Sequence, residues 1–160
     1  KATRSDGAVW TGIGPQSLCV YRQNLGYPAG PGCSQYLSAA NSGNAGYSGD
    51  AGSAGAPAID AITDFNKAAA ISGGDVLDLG DLLQGESHTG NLAGNLGSYL
   101  HFEKIGADTV VNVSSSGGFS SGNYSAADQK LILQGVDLTT LGGDTQIIQN
   151  LLANGKLNTD

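Results

Sequence analysis

The sequence predicts a mainly β protein of short strands, closed near its carboxyl end by one amphipathic α-helix. Three observations carry this prediction. The 160 residues include 26 Gly, short alternating or β-branched runs stand between turn residues, and one helical apolar stripe lies near the end of the chain. No apolar run approaches the ~18 residues that a membrane-spanning helix needs. The length fits one domain, or one domain with an irregular extension.

The amino-terminal part gives no sustained apolar period, and three of the four prolines lie within it. We predict an irregular extension of unknown role over residues 1–49, with a short strand near Leu18–Tyr21. Residues 41–56 form a Gly/Ser/Ala/Asn tract. Such a tract is typical of a flexible linker, or of the degenerate end of a Gly/Asp repeat.

Two cysteines, Cys19 and Cys33, lie in this first third of the chain. They are too few for a disulfide framework, and no His/Cys spacing indicates zinc. If the chain is extracellular, one disulfide between them closes a Gly- and Pro-rich loop and stabilises the fold by about 3 kcal/mol. Two free thiols are the alternative.

From residue 57 onward the pattern predicts a succession of strands. The predicted strands are Ile59–Phe65, Asp75–Leu79, Tyr99–Glu103, Thr109–Val113 and Gln129–Gln134. Residues 79–83 can form one helical turn. Residues 85–97 and 114–128 are polar and Gly-rich, and we predict them to be loops.

The carboxyl end changes to a helical pattern. Asp144 or Thr145 is a candidate helix N-cap. The apolar stripe follows at i, i+1, i+4 and i+5 and consists of Ile147, Ile148, Leu151 and Leu152. Gly155 stands where a helix terminator belongs, and Lys156–Thr159 is a last strand-like piece.

The charge is unevenly distributed. The net charge is −7, although residues 1–49 hold three basic side chains against one acid, so residues 50–160 carry the acidity. An acidic, lysine-poor body argues against a nucleic-acid partner, since binding phosphates needs Lys and Arg. It favours solubility and suits a cation-rich exterior.

No constellation in the sequence is typical of an enzyme. His88 and His101 are the only imidazoles, and neither stands in a recognisable local frame with a Ser or Cys nucleophile. We interpret His101, which lies in an alternating run, as a surface or half-buried residue. The stretch GGFSSG at 117–122 contains no Lys and precedes no helix, unlike a phosphate loop. We therefore predict that the chain is not an enzyme.

Aspartates are the candidates for a metal site. Calcium takes six to eight oxygen ligands from carboxylates and backbone carbonyls, and the Gly-rich turns around Asp60 and Asp64 supply both. The two acids face the same side of a predicted strand but lie roughly 13 Å apart, so they cannot share one ion. They could each feed an ion at one rim of a parallel β-roll. Ordinary strand-end aspartates are the alternative interpretation.

Three blocks of the sequence resemble the carboxyl-terminal region of large RTX adhesins that type I systems secrete. The blocks are DAITDF with GGDVLDLGDLLQGE, then NLGSYLHFEKIGADTVVNVSSSGGF, then SAADQKLILQGVDLTTLGGDTQIIQNLLANGKLNTD. They run in order from about residue 57 to the chain end, and their combination is more specific than any one of them. The RTX nonapeptide G-G-x-G-x-D-x-U-x does not occur intact, and Asp50 in GYSGDAGSAG is the nearest remnant.

The resemblance implies a fold and a route of export. The fold is mainly β, with short parallel strands of β-roll or β-solenoid type, a β-sandwich-like carboxyl-terminal cap and one terminal amphipathic helix. The domain covers residues 50–160, with a secretion signal at about 144–160. The implied partners are an ABC transporter, its adaptor and an outer-membrane channel, all transient, and no membrane insertion is implied.

The resemblance also implies Ca²⁺ as the cofactor and a location outside the cell, secreted or on the bacterial surface. Asp60 and Asp64 match the acids of the D-x-I-x-D-F pattern, and Asp78 in DVLDL is a further candidate ligand. Folding would follow export. Alternatives remain: a sugar- or surface-binding module using Tyr21, Tyr27 and Tyr36, a hydrolase whose catalysis lies upstream, or a structural cap that needs no calcium.

Overall fold

The computed structural model describes residues 19–22, 53–62, 65–80 and 82–159, with the backbone alone for the first of these ranges. The regular elements are β1 (Cys19–Arg22), β2 (Ala58–Ile62), β3 (Asp75–Asp78), β4 (Leu100–Ile105), β5 (Asp108–Val113), β6 (Gln129–Leu133), α1 (Asp144–Ala153) and β7 (Leu157–Asn158). Short 3₁₀ helices lie at Ala70–Ser72, Leu96–Ser98 and Thr139–Leu141. The described part is therefore mainly strand-containing with one α-helix, as predicted. None of its helices is long and apolar enough to cross a membrane.

The larger sheet has four strands in the order β2-β6-β5-β4. Strands β4 and β5 form an antiparallel hairpin, whose turn contains Gly106 at φ +64, a conformation that glycine adopts at no steric cost. Strand β6 pairs antiparallel with β5. Strand β2 then joins the open side of β6 in parallel, with Asp60 opposite Leu131.

The smaller sheet has the order β1-β3-β7. Strand β1 runs antiparallel to β3, with Val20 opposite Leu77. Strand β7 runs parallel to β3, with Leu157 opposite Leu77 and Asn158 opposite Asp78. The last strand of the chain thus pairs with a strand that begins some eighty positions earlier.

One apolar core joins the two sheets and the helix. The alternation predicted for β4 is confirmed, because Leu100 and Phe102 are buried while His101 and Glu103 are half-buried. The core includes Leu77, Leu79, Leu96, Leu100, Val111, Leu131, Leu133, Ile147, Ile148, Leu151 and Leu157. Burying a side chain of this size contributes about 1.5–3 kcal/mol, so the core is the main source of stability.

Helix α1 does not begin as predicted. Its N-cap is Gly143, which makes no side-chain capping hydrogen bond. The prediction that Asp144 or Thr145 caps the helix is therefore wrong. Asp144 is instead the acid of the first turn, where a carboxylate interacts favourably with the helix dipole.

The helix ends at Ala153, and Gly155 terminates it as predicted. This glycine has φ +64, and its N–H donates to the Leu152 carbonyl at 3.0 Å. The Lys156 N–H donates to the Leu151 carbonyl at 2.8 Å. These two bonds form a Schellman motif, which turns the chain from α1 directly into β7.

Four strands are shorter than the sequence predicts: β3 and β6 by their last residue, and β2 and β7 by two residues each. Strand β2 ends at Ile62, so Phe65 lies outside it, and β7 covers two residues rather than Lys156–Thr159. Phe65 is nevertheless 5% exposed. Phe65 is buried in the loop that leads into the smaller sheet. The alternating sequence pattern predicts burial at this position, but it cannot distinguish a buried loop residue from a buried strand residue.

Candidate functional site

The carboxyl-terminal tail is the candidate functional segment, and it is built into the fold. Of the predicted stripe, Ile147, Ile148 and Leu151 are at most 1% exposed, and Leu152 is partly buried against the core. The helix contacts both β4 and β7. The prediction of an apolar helix face is thus confirmed, and this face is covered by the two sheets.

A buried lysine fastens the end of the tail. Lys156 is 3% exposed, and its Nζ donates to the backbone carbonyl oxygens of Asn66 at 2.7 Å, Ala68 at 2.9 Å and Asp75 at 2.6 Å. We call these three oxygens the carbonyl cage. Sequence reasoning missed the role of Lys156, because a lysine in a strand-like piece usually points to solvent.

The loop that supplies the carbonyl cage is itself closed by hydrogen bonds. The Asn66 N–H donates to Asp75 Oδ2 at 2.7 Å, and the Asp75 N–H donates back to the Asn66 carbonyl at 3.0 Å. The Asn66 amide Nδ2 also donates to the Gly73 carbonyl at 3.2 Å. These bonds fix the conformation of the loop that carries the three carbonyl oxygens.

The start of α1 is fastened to the larger sheet. The Asp144 carboxylate accepts a hydrogen bond from the Phe102 N–H at 2.9 Å, and its other oxygen lies 2.8 Å from His101 Nδ1. The His101 ring stacks on Tyr124 with centroids 3.4 Å apart, and its Nε2 lies 3.9 Å from Glu103. His101 is half-buried, as the sequence predicted, and links the helix, the strand and the loop over 114–128.

The last described residue is also anchored. Thr159 is 3% exposed, and its Oγ1 lies 3.3 Å from His88 Nδ1. The same ring nitrogen lies 3.3 Å from a Glu86 oxygen. This pair of contacts holds the chain end against the loop that follows β3.

Of the predicted calcium ligands, Asp60 is engaged by another side chain. It lies on β2, and Gln129 Nε2 donates to its Oδ2 at 2.6 Å. Burial raises the pKa of Asp60 above its ordinary 3.8, and the Gln129 hydrogen bond opposes that shift. Gln129 is fully buried, and its Oε1 has no hydrogen-bond partner among the residues that the structure describes.

The other predicted ligands do not join Asp60 in the described part of the chain. Asp78 ends β3 in the smaller sheet, and its Oδ1 accepts from the Gly80 N–H at 3.3 Å and from Asn158 Nδ2 at 3.1 Å. Asp64 lies outside the described residues. Within the residues that are described, no group of three His, Cys, Asp or Glu side chains could hold a metal ion together.

The remaining predicted site residues lie mostly beyond what the structure describes. Cys33, Tyr27 and Tyr36 fall outside it, and for Cys19 and Tyr21 the backbone alone is described. The predicted disulfide and the tyrosine-lined sugar site stay predictions.

Comparisons of the chain with protein-family models, with curated proteins and with solved structures give no match.

Proposed function

We propose that this chain is the calcium-responsive carboxyl-terminal domain of an extracellular bacterial adhesin of the RTX type, which directs export through a type I system. One observation supports the proposal most. Two blocks that carry the resemblance, DVLDL and the tail, contact each other as the parallel pair β3 and β7. Blocks that are remote in sequence therefore belong to one sheet.

The tail has two roles in this proposal. Before folding, the stripe of Ile147, Ile148 and Leu151 is available to the ABC transporter and its adaptor. After folding, the same side chains are at most 1% exposed, so the signal is hidden. Export and folding then exclude each other, and the chain passes through the outer-membrane channel unfolded.

Calcium supplies the switch. In the low-calcium cytoplasm, repulsion among the acids that give residues 50–160 their negative charge opposes compaction. Outside, calcium near 10⁻³ M is sufficient for modules of the extracellular class. Asp60, the middle residue of β2, and Asp64 are the proposed ligands, with Asp78 as a further candidate. Because binding favours the folded state, it stabilises that state by mass action.

The finer fold is part of the same proposal. Strand β2 would be one of the short parallel strands of β-roll type, and its parallel pairing with β6 supports this. The two sheets would form the β-sandwich-like cap. The domain would act on the cell surface or as a secreted protein, with no reaction, nucleic-acid partner or membrane insertion of its own.

Export of the full chain tests the tail's role. A strain that carries a type I system would express residues 1–160 and, separately, the chain without residues 144–160. The proposal predicts that the first accumulates in the medium and that the second stays in the cell. Equal export of both would remove the tail from this role.

A structural cap that needs no calcium is the second candidate. The hydrogen bonds between Lys156 and the carbonyl cage favour it, since protein groups alone make this contact. The two candidates differ in their response to chelator: a cap unfolds at the same temperature with and without calcium, whereas a calcium-responsive domain does not.

A further inference from the structure

The environment of Lys156 is that of a bound cation. Its Nζ donates to the three oxygens of the carbonyl cage, and the Nζ–oxygen distances are 2.6–2.9 Å. The Nζ also lies 4.6 Å from the centroid of the Phe65 ring, whose face attracts positive charge. Backbone carbonyls arranged around one positive charge are a typical cation site in proteins.

The charges around this position are matched. Lys156 and Asp75 are each 3% exposed, so a negative and a positive group are buried in one place. Burial lowers the pKa of Lys156 to about 8, and the charge of Asp75 opposes the shift. The ammonium form therefore predominates at neutral pH. Removing it would take one donor from each oxygen of the carbonyl cage, although the Asn66 oxygen still accepts the Asp75 N–H, and a buried carbonyl left without a donor costs about 1–3 kcal/mol.

The chain geometry delivers the ammonium to this position. The Schellman motif at Gly155 fixes the direction in which Lys156 leaves α1. On the other side, a Cβ on Gly74 would lie 1.7 Å from the Ala68 carbonyl oxygen. Glycine at 74 thus permits the close approach that brings the Ala68 carbonyl into the cage. Backbone conformation therefore sets the positions of both the Lys156 ammonium and the Ala68 carbonyl.

We propose that the Lys156 ammonium is a tethered cation that occupies the carbonyl cage in place of a metal ion, so that in the folded domain the tail is held on β3 with no calcium ion at this position. This inference rests on the contacts of Lys156 and is independent of the proposed export role. It divides the domain into a part around Asp60 that would respond to calcium and a part around Lys156 that does not.

Chemical rescue of the full-length chain tests the inference. Lys156→Ala removes three methylenes and the ammonium, which propylammonium can replace. We expect propylammonium chloride to raise the melting temperature of Lys156→Ala above its value in equimolar sodium chloride, because a ligand that binds the folded state stabilises it. In Lys156→Met an apolar side chain occupies the space of the lysine methylenes, so the melting temperature of this variant should not respond to propylammonium. Lys130→Ala is the control for general salt effects, because Lys130 is a half-buried lysine of β6.

The absence of rescue in Lys156→Ala, or an equal rise in Lys130→Ala, would overturn the tethered-cation role. If Lys156→Ala does not fold in sodium chloride, the readout is its circular dichroism signal, which propylammonium should restore to that of the folded protein.

Hydrogen exchange of the wild-type chain gives a second measurement. The Asp75 N–H bonds to the Asn66 carbonyl, and the Leu77 N–H bonds to the Lys156 carbonyl at 2.8 Å. We expect these two amides to be equally protected in calcium and in chelator. Loss of their protection in chelator would contradict the inference while supporting a calcium-driven fold. Loss confined to Ala58–Ile62 would support both proposals.

Discussion

Asp144 at the start of α1 lies 2.8 Å from Nδ1 of His101, the second residue of β4, although the two residues are 43 positions apart. The same carboxylate accepts the Phe102 N–H at 2.9 Å. An acid that sequence patterns assign to helix capping thus joins the tail to the larger sheet. Its position makes the tail's docking depend on polar contacts as well as on the apolar stripe.

Replacing Asp144 by Ala should destabilise the fold by about 1–3 kcal/mol, because the Phe102 N–H and the His101 ring lose their acceptor. Chemical denaturation at neutral pH measures this change. Glu103→Gln is the matched control, since Glu103 lies 3.9 Å from the other ring nitrogen with its side chain 42% exposed. It should change stability by less than about 0.5 kcal/mol. Equal effects of the two substitutions would contradict the linking role of Asp144.

Gly74→Ala should cost about 3 kcal/mol, the upper part of the range for overpacking. The added Cβ would lie 1.7 Å from the Ala68 carbonyl oxygen, so the loop must move and the carbonyl cage must distort. Gly97→Ala is the control, because a Cβ there meets nothing within 4 Å. Thermal unfolding compares them. A stable Gly74→Ala protein would show that the loop relaxes freely.

Leu151→Ala should destabilise the domain by about 2–5 kcal/mol, as is usual for a large side chain removed from a core. Leu151 is 1% exposed, whereas Leu152 is only partly buried against the core. Leu152→Ala should therefore cost clearly less. Urea denaturation of both variants measures the difference, and a reversed order would contradict the orientation of α1.

Because of Asp60, the free energy of unfolding should decrease as the pH rises through the acidic range. Burial raises the folded-state pKa of Asp60 above 3.8, so the folded protein holds this proton more tightly than the unfolded chain does. The resulting stabilisation is fully present below pH 3.8 and is lost as the pH rises through the folded-state pKa. Unfolding of the wild type and of Asp60→Asn in chelator, at a series of pH values, isolates this contribution. The same slope in both proteins would show that Asp60 is not the group responsible.

The sequence was most informative where local pattern decides structure. Alternation in β4, the β-branched residues of β5 and the stripe of α1 each predicted their element, because burial of one face follows from the period of the side chains. Gly155 predicted the helix end for a similarly local reason.

Contacts between remote segments could not be predicted. No local pattern pairs β3 with β7, and burial of Lys156 contradicts the usual exposure of lysine. Asp144 looked like a cap because its long-range acceptor role has no local signature. The helix of the tail and its apolar face were therefore predicted from the sequence, while Lys156 and Asp144, which hold the tail to the two sheets, were not.

Thermal unfolding of the full-length chain in calcium and in chelator tests the central claim of a calcium-responsive domain. With a dissociation constant near 10⁻⁴ M and about 10⁻³ M calcium, binding should add about 1.4 kcal/mol, which raises the melting temperature by roughly 3–6 °C. We expect at least that rise in the wild type, from the ion at Asp60, and a smaller rise in the variant Asp60→Asn. Identical melting temperatures of the wild type in calcium and in chelator would contradict the claim.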